Sequence, residues 1–452
     1  MNNKPFHTIL FTLTVSLLLL VLMQSLTHWI PMKPLEGYTN EAELQKDTLK
    51  MKSIMDGTYQ NYLSEYTKRN TGFREFFIRA YNQLIFSVFN QSTNDNIIKG
   101  SNNELYMRMY LQDITGEKVE TNFGTVEEAK KEAQSNVKAT VEFMELLQRH
   151  GTKFFFVFCP SKAYVYPEFM PKKYQKRIAD FQLAEYYIQL FEENNIPYID
   201  FYHYFKDIKD EYPYPLYAKT GSHWSEATIP MVCDSIYRKM EEAMDIRLPK
   251  VKVTDLNPTS DYSNSEAELE STLNLLFPMR KPALPRPHFV LDDTLGKDKP
   301  NLLVIGDSYF NQIRLTDFVK AFNEWDFGVY NKDIYSSRPF YNLKKLSMVF
   351  DANEVLEEAD VVMAMFTSVY LPRYMFGFIP YAEKQLTEGT SFEEAVAMII
   401  KNIKENPEWF HSVQQQATER GITLEENLRS NAEYVYYNTL RAKKELSNTP
   451  KP

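Results

Sequence analysis

LLVIGDSYF, Leu302 to Phe310, decides the fold. Four apolar residues in a row, Leu302 to Ile305, read as a parallel strand buried on both faces. Gly306 and Asp307 make a tight turn, Ser308 follows, and a helix is expected from about Phe310 to Phe322. Such a turn lifts the serine hydroxyl above the sheet and leaves backbone N–H groups, those of Gly306 and Asp307, to receive an oxyanion. The plainer reading is a turn serine that caps the next helix.

Working outward, the same alternation recurs. Thr125-x-x-Glu128 offers a capping box before a helix with Ala129, Ala133, Val137, Val141 and Met144 at helical spacing, and Gly151 ends it. Phe154 to Phe158 is the next apolar run, followed by a helix from about Tyr174 to Glu193, a short strand at Tyr198 to Phe201, and a helix from about Ser225 to Met244. Val361 to Met365 and a strand near Val329 complete the pattern. Upstream, IIKGSNNELYM (97 to 107) reads as strand, turn, strand. Strands alternating with helices imply a doubly wound parallel α/β sheet flanked by helices, with ligands bound beyond the carboxyl ends of its strands. Ser308, Ser161, Lys162 and Thr367 all stand at such ends.

A serine nucleophile needs a base. Of seven histidines, His7 and His28 lie in or beside an apolar N-terminal stretch, leaving His150, His203, His223, His288 and His411. His223 stands out in KTGSHWSEA, a turn of small residues before a helix, followed by Trp224. Ser308 and His223 are therefore expected within about 4 Å of each other. Ser161 and Lys162 follow a strand and are candidates for positioning substrate; as a Ser-Lys pair after a proline they also read as an ordinary loop. No paired-histidine helix, cysteine cluster or glycine-rich phosphate loop is present, so neither a metal nor a cofactor is expected.

KTGSHWS (219 to 225) followed by GDSYF (306 to 310) resembles the alginate O-acetyltransferase family of SGNH hydrolase-like enzymes, also called DHHW proteins. FVFCPSKAYVYPEFMP (156 to 171), IIKGSNNELY (97 to 106) and the tail IKENPEWFHSVQQQATERGITLEENLRSNAEY (403 to 434) are similar to further blocks, in the family's order. The resemblance implies an SGNH-like fold, Ser308 as nucleophile, His223 as its base and Trp224 beside substrate. It also implies a polysaccharide acceptor and an acetyl group supplied by a partner membrane O-acyltransferase. The sequence departs at Gly221, where the family carries the triad aspartate, and at AMFTSVYL (364 to 371), where relatives often carry acidic residues. Either another acceptor reaches Nδ1 of His223, or the pair works slowly without one. The functional alternatives are an acetyl esterase and a non-catalytic glycan-binding scaffold of the same fold.

The remaining features set the surroundings. A net charge of -9 offers no basic footprint for nucleic acid. Cys159 and Cys233 are too few for a disulfide framework and sit in apolar runs, as buried free thiols would. Phe6 to Met23 is apolar over the roughly 18 to 20 residues that cross a bilayer, Lys4 precedes it, and no cleavage site follows. This reads as a signal anchor, with a cleaved signal peptide as the alternative, and puts the bulk of the chain outside the cytoplasmic membrane. The expected organisation is 1–31 cytoplasmic tip and anchor, 32–70 stalk, 71–380 catalytic domain with a Pro-rich insertion at 250–300, and 381–452 a helical segment packing on the sheet.

Overall fold

The computed structural model describes residues 4–37, 48–292, 294–330, 333–337, 356, 358–388 and 392–447. Ten strands occur among them: β1 Ile97–Lys99, β2 Leu105–Met107, β3 Lys153–Cys159, β4 Tyr198–Asp200, β5 Lys250–Thr259, β6 Leu284–Asp292, β7 Leu302–Gly306, β8 Trp325–Val329, β9 Asp333–Ser336 and β10 Val361–Thr367. Six of them form one sheet in the order β4-β3-β10-β7-β8-β9, parallel except for the edge strand β9.

Every side chain of β7 and β10 is buried, which is why both read as unbroken apolar runs rather than as alternation. The parallel part runs β8-β7-β10-β3-β4, so the chain moves outward from β7 to β8 and then returns to insert β10 between β7 and β3. Ligands of such sheets bind beyond the carboxyl ends of the strands, where Ser308 and Thr367 stand at the ends of the neighbouring strands β7 and β10.

Helices cover the sheet. The Val126–Arg149 helix begins at the Thr125 cap, whose hydroxyl accepts from the Glu128 N–H, and buries Ala129, Ala133, Val137, Phe143 and Leu147. The stretch expected as one helix over 174 to 193 is two, Lys172–Gln175 and Leu183–Glu193. Between them the chain is tied elsewhere: Ala179 N–H and the Gln182 amide both donate to the Ile114 carbonyl. The helix after Ser308 is likewise short, Tyr309–Arg314, and Thr316 caps a separate turn at Asp317–Ala321.

The 250–300 insertion has elements of its own: β5 and β6 pair as an antiparallel ribbon around the Asn264–Leu273 helix. Its prolines are tolerated because a two-stranded ribbon has only edge strands, where an N–H can be missing. The C-terminal helices Phe392–Glu405, Pro407–Arg420 and Leu424–Ser447 pack mainly on one another, with Val396, Ile399, Ile403, Val413, Leu428 and Ala432 as their own apolar cluster. At the other end, Phe6–Thr27 is a helix of mean hydropathy 2.3, long and apolar enough to cross a membrane.

Candidate active site

At Ser308 the backbone is helical, φ -65° and ψ -11°, and its side chain makes no capping bond. Its hydroxyl, half-buried at the sheet end, is instead 2.9 Å from Nε2 of His223. On the far side of the ring, Nδ1 lies 2.8 Å from Oε1 of Glu268, a residue the sequence reading did not single out. An ionised carboxylate can only accept, so the proton sits on Nδ1 and Nε2 is left to accept from the serine hydroxyl. Serine, histidine and glutamate thus form a continuous relay. Such a relay can deprotonate a hydroxyl, hold the imidazolium that results, and return the proton to a leaving group.

Glu268 comes from the Asn264–Leu273 helix, which is stitched to the His223 turn at several points. Thr220 Oγ1 donates to Glu266 O at 2.7 Å, Leu269 N–H donates to Thr220 O at 3.0 Å, and Ser222 N–H donates to Glu268 Oε1 at 2.8 Å. The Ser222 hydroxyl donates to the same oxygen. Burial alone would raise the Glu268 pKa; the hydrogen bond and charge of His223, with the two Ser222 donors, outweigh it and hold the carboxyl below its ordinary value.

This packing explains Gly221. A Cβ there would lie 2.5 Å from Ser265 O and 3.0 Å from Glu266 Cα, backbone atoms of the helix that supplies the acid. The position that carries the aspartate in the resembled family is filled here by main chain, and the carboxylate arrives from the helix instead. Gly221→Ala should therefore destabilise the fold by about 1–3 kcal/mol, as overpacking does, and lower activity by moving Glu268. Unfolding midpoints and ester hydrolysis measured side by side check this; a variant with wild-type values in both would refute the close packing.

The other expected site residues have definite places. Gly306 is held against β10, where a Cβ would meet Met365 O at 2.6 Å. Asp307 is a brace and not an oxyanion donor. Its N–H donates to Met365 O at 3.2 Å, and its buried carboxylate accepts from Thr367 N–H at 2.7 Å, Thr367 Oγ1 at 2.6 Å and Tyr309 N–H at 3.0 Å, tying the ends of β7 and β10 together. Burial raises its pKa, and those donors oppose the rise. The Ser161 hydroxyl caps its own helix, accepting from Tyr164 N–H.

Lys162 is fully buried, its Nζ 2.8 Å from Glu104 and donating to Ala218 O and Lys219 O at 2.7 and 2.9 Å, so it reaches the loop before His223 rather than a ligand. Trp224 is corrected in the same way. Its indole is 0% exposed, packed edge-on against Tyr309 at 4.8 Å and beside Phe201 and Phe205, and meets core rather than solvent. Tyr309 in turn lies under the His223 ring at 4.8 Å and donates to Ser222 O, so the aromatic cluster fixes the imidazole from below. Among the described residues, no group of three or more His, Cys, Asp and Glu side chains could hold a metal ion.

Residues 119–324 match the family model described as SGNH hydrolase-like domain, acetyltransferase AlgX. The chain is similar to the O-acetyltransferase domain of Pseudomonas putida AlgJ, at 18% identity and a TM-score of 0.41, over 65% of this chain and 99% of that one. It is similar to Pseudomonas aeruginosa AlgX at 14% identity and a TM-score of 0.43, over 66% and 69%. Bacillus cereus PatB1 with a sulfonyl adduct gives 14% identity and a TM-score of 0.37, over 55% and 93%. No curated protein matches the chain. The resemblance read in KTGSHWS and GDSYF thus meets a family match over residues 119–324, the segment that contains Ser308, His223 and Glu268.

Proposed function

We propose that this protein is an O-acetyltransferase that acylates a polysaccharide outside the cytoplasmic membrane through an acetyl-Ser308 intermediate. The observation that carries the reading is the relay Ser308 Oγ, His223, Glu268, with both links under 3 Å. Ser308 Oγ attacks the acetyl carbonyl of a donor ester while His223 Nε2 takes its proton. Collapse of the tetrahedral adduct expels the donor alkoxide, which receives that proton. A sugar hydroxyl then attacks acetyl-Ser308, giving its proton to His223, and Ser308 leaves with that proton restored. Glu268 stays ionised throughout. Water in place of the sugar would give an esterase, with the same residues in the same roles.

A cavity of about 810 Å³, lined by neighbours of Ser308, His223 and Glu268 but by none of the three themselves, is in keeping with a sugar acceptor. Its walls come from the three segments that carry the relay: Asn311 and Gln312 from the helix after Ser308, Glu226 from the turn after His223, and Ser265 from the Glu268 helix. Arg286 and His288 of the ribbon add polar groups suited to sugar hydroxyls. The acetyl donor is taken to be a membrane O-acyltransferase, in keeping with the apolar Phe6–Thr27 helix as an anchor in the inner membrane. Glu268 at Nδ1 supports the enzyme reading over a non-catalytic scaffold, because it stands where a triad acid would.

The test is covalent. A sulfonyl fluoride or acetyl ester incubated with the full chain should leave a stoichiometric adduct on the peptide containing Ser308, detected by mass spectrometry. Ser308→Ala should show none. An adduct that persists in Ser308→Ala, or none in the wild type, overturns the assignment.

A further inference from the structure

We propose that the Arg74–Val88 helix lies in the plane of the membrane surface, with its apolar stripe seated among lipid headgroups and upper acyl chains. The inference rests on the reading of Phe6–Thr27 as a bilayer anchor. Along this helix Phe77, Tyr81, Leu84 and Val88 recur four, three and four apart, which aligns them on one face. That face is uncovered: the four residues are 46, 59, 51 and 65% exposed. The opposite face is fixed to the domain, where Phe86 is buried with Ile97, Leu105, Leu269 and Leu273. The helix is thus held rigidly with an aromatic and aliphatic stripe turned outward.

What covers the stripe follows from where the helix begins. Gly72 N–H donates to Ser25 Oγ at 2.7 Å, two residues before the apolar helix ends at Thr27. A Cβ on Gly72 would lie 2.4 Å from Val21 O, so the two segments touch backbone to backbone. The exit from the span is pinned as well: the Gln24 side chain bonds Ile30 through both its amide groups, and Arg79 donates to Lys33 O and Pro34 O.

The first turn of the Arg74–Val88 helix therefore sits at the level where the span leaves the hydrocarbon. Fifteen residues extend about 22 Å, and the stripe continues to Val88. A helix rising away from the membrane would carry Leu84 and Val88 into water; one lying flat keeps the whole stripe at the interface, as in-plane amphipathic helices do. Charge agrees. Lys68, Arg69, Arg74 and Arg79 outnumber Glu65 and Glu75 here, in a chain of net charge -9, which suits anionic headgroups.

The experiment uses the full chain in vesicles of phosphatidylethanolamine and phosphatidylglycerol. Cys159 and Cys233 are buried, so nitroxide labels go onto Leu84→Cys, Val88→Cys, Leu18→Cys in the span and Glu127→Cys on the domain surface. Labels at 84 and 88 should collide with dissolved oxygen more than with a water-soluble nickel chelate, as at 18 and opposite to 127. If 18 reads lipid while 84 and 88 read water, the anchor stands and the in-plane helix is refuted. If 18 also reads water, the anchor fails and the inference falls with it. Labels at 84 and 88 shielded from both probes would mean that protein, a second copy or a partner, covers the stripe, which also overturns the proposal.

Discussion

Glu268→Ala should lower kcat for acetyl-ester turnover by about 10⁴-fold, roughly 5.5 kcal/mol of barrier. The acid of such a relay fixes the tautomer of the imidazole and stabilises the imidazolium, and alanine removes both. Glu268→Gln should lose less. Ser222 donates to Oε1 through its N–H and its hydroxyl, so an amide there keeps its oxygen turned to the same donors and to Nδ1, preserving the tautomer while losing the charge. The gap between the two variants measures how the effect divides between orientation and charge. Because the folded-state pKa of Glu268 is depressed, its ionisation stabilises the fold at pH above 4.5, and that contribution is lost as pH falls through the folded value. The glutamine variant should lack this part of the acid sensitivity. An alanine variant within tenfold of wild type would take Glu268 out of the chemistry.

The difference between Ser308 and Glu268 shows what a sequence can reveal of such a site. The place of Ser308 is legible because its setting is local: a buried strand, a tight turn and the start of a helix lie within nine residues. His223 was legible through elimination and its turn. Glu268 was hidden twice. Pro278, Pro282, Pro285, Pro287 and Pro300 make its surroundings read as a Pro-rich insertion, although Ser263-x-x-Glu266 and Leu269 with Leu273 in SNSEAELESTL carry helix signals. Even with the helix in hand, three glutamates compete. Glu266 accepts from Glu226 N–H, and Glu270 pairs with Lys281 at 2.8 Å and accepts from Met279 N–H. Only packing across 45 positions of chain selects the one that faces Nδ1. Gly221 was the indirect sign: a glycine where a carboxylate was expected reports main chain pressed against it. The β winding was legible from its apolar runs, whereas the order that puts β10 beside β7 depends on long-range pairing that no local pattern encodes.

Lys162→Met should destabilise the protein by about 3–5 kcal/mol, the range for removing one partner of a buried ion pair. Lys162 is 1% exposed and its ammonium lies 2.8 Å from the Glu104 carboxylate, while its hydrogen bonds go to the carbonyls of Ala218, Lys219 and, at 3.4 Å, Gly221. Burial pulls the lysine pKa down, and Glu104 pulls it back up. Methionine fills the same volume but strands a buried carboxylate and removes the ammonium from those carbonyls, leaving Ala218 O with Gly221 N–H and Lys219 O with Leu105 N–H as donors. The loss should appear as a lower denaturant midpoint at unchanged slope. Adding Glu104→Gln removes the stranded charge and should recover much of the stability. It cannot restore the donors that hold residues 218 to 221, and this loop leads directly into Ser222 and His223. The double variant should therefore regain stability while its kcat stays depressed, a split that a purely structural role would not produce. A single variant within 1 kcal/mol of wild type would refute the buried pair, and a double variant with full kcat would refute the link from Lys162 to the His223 turn.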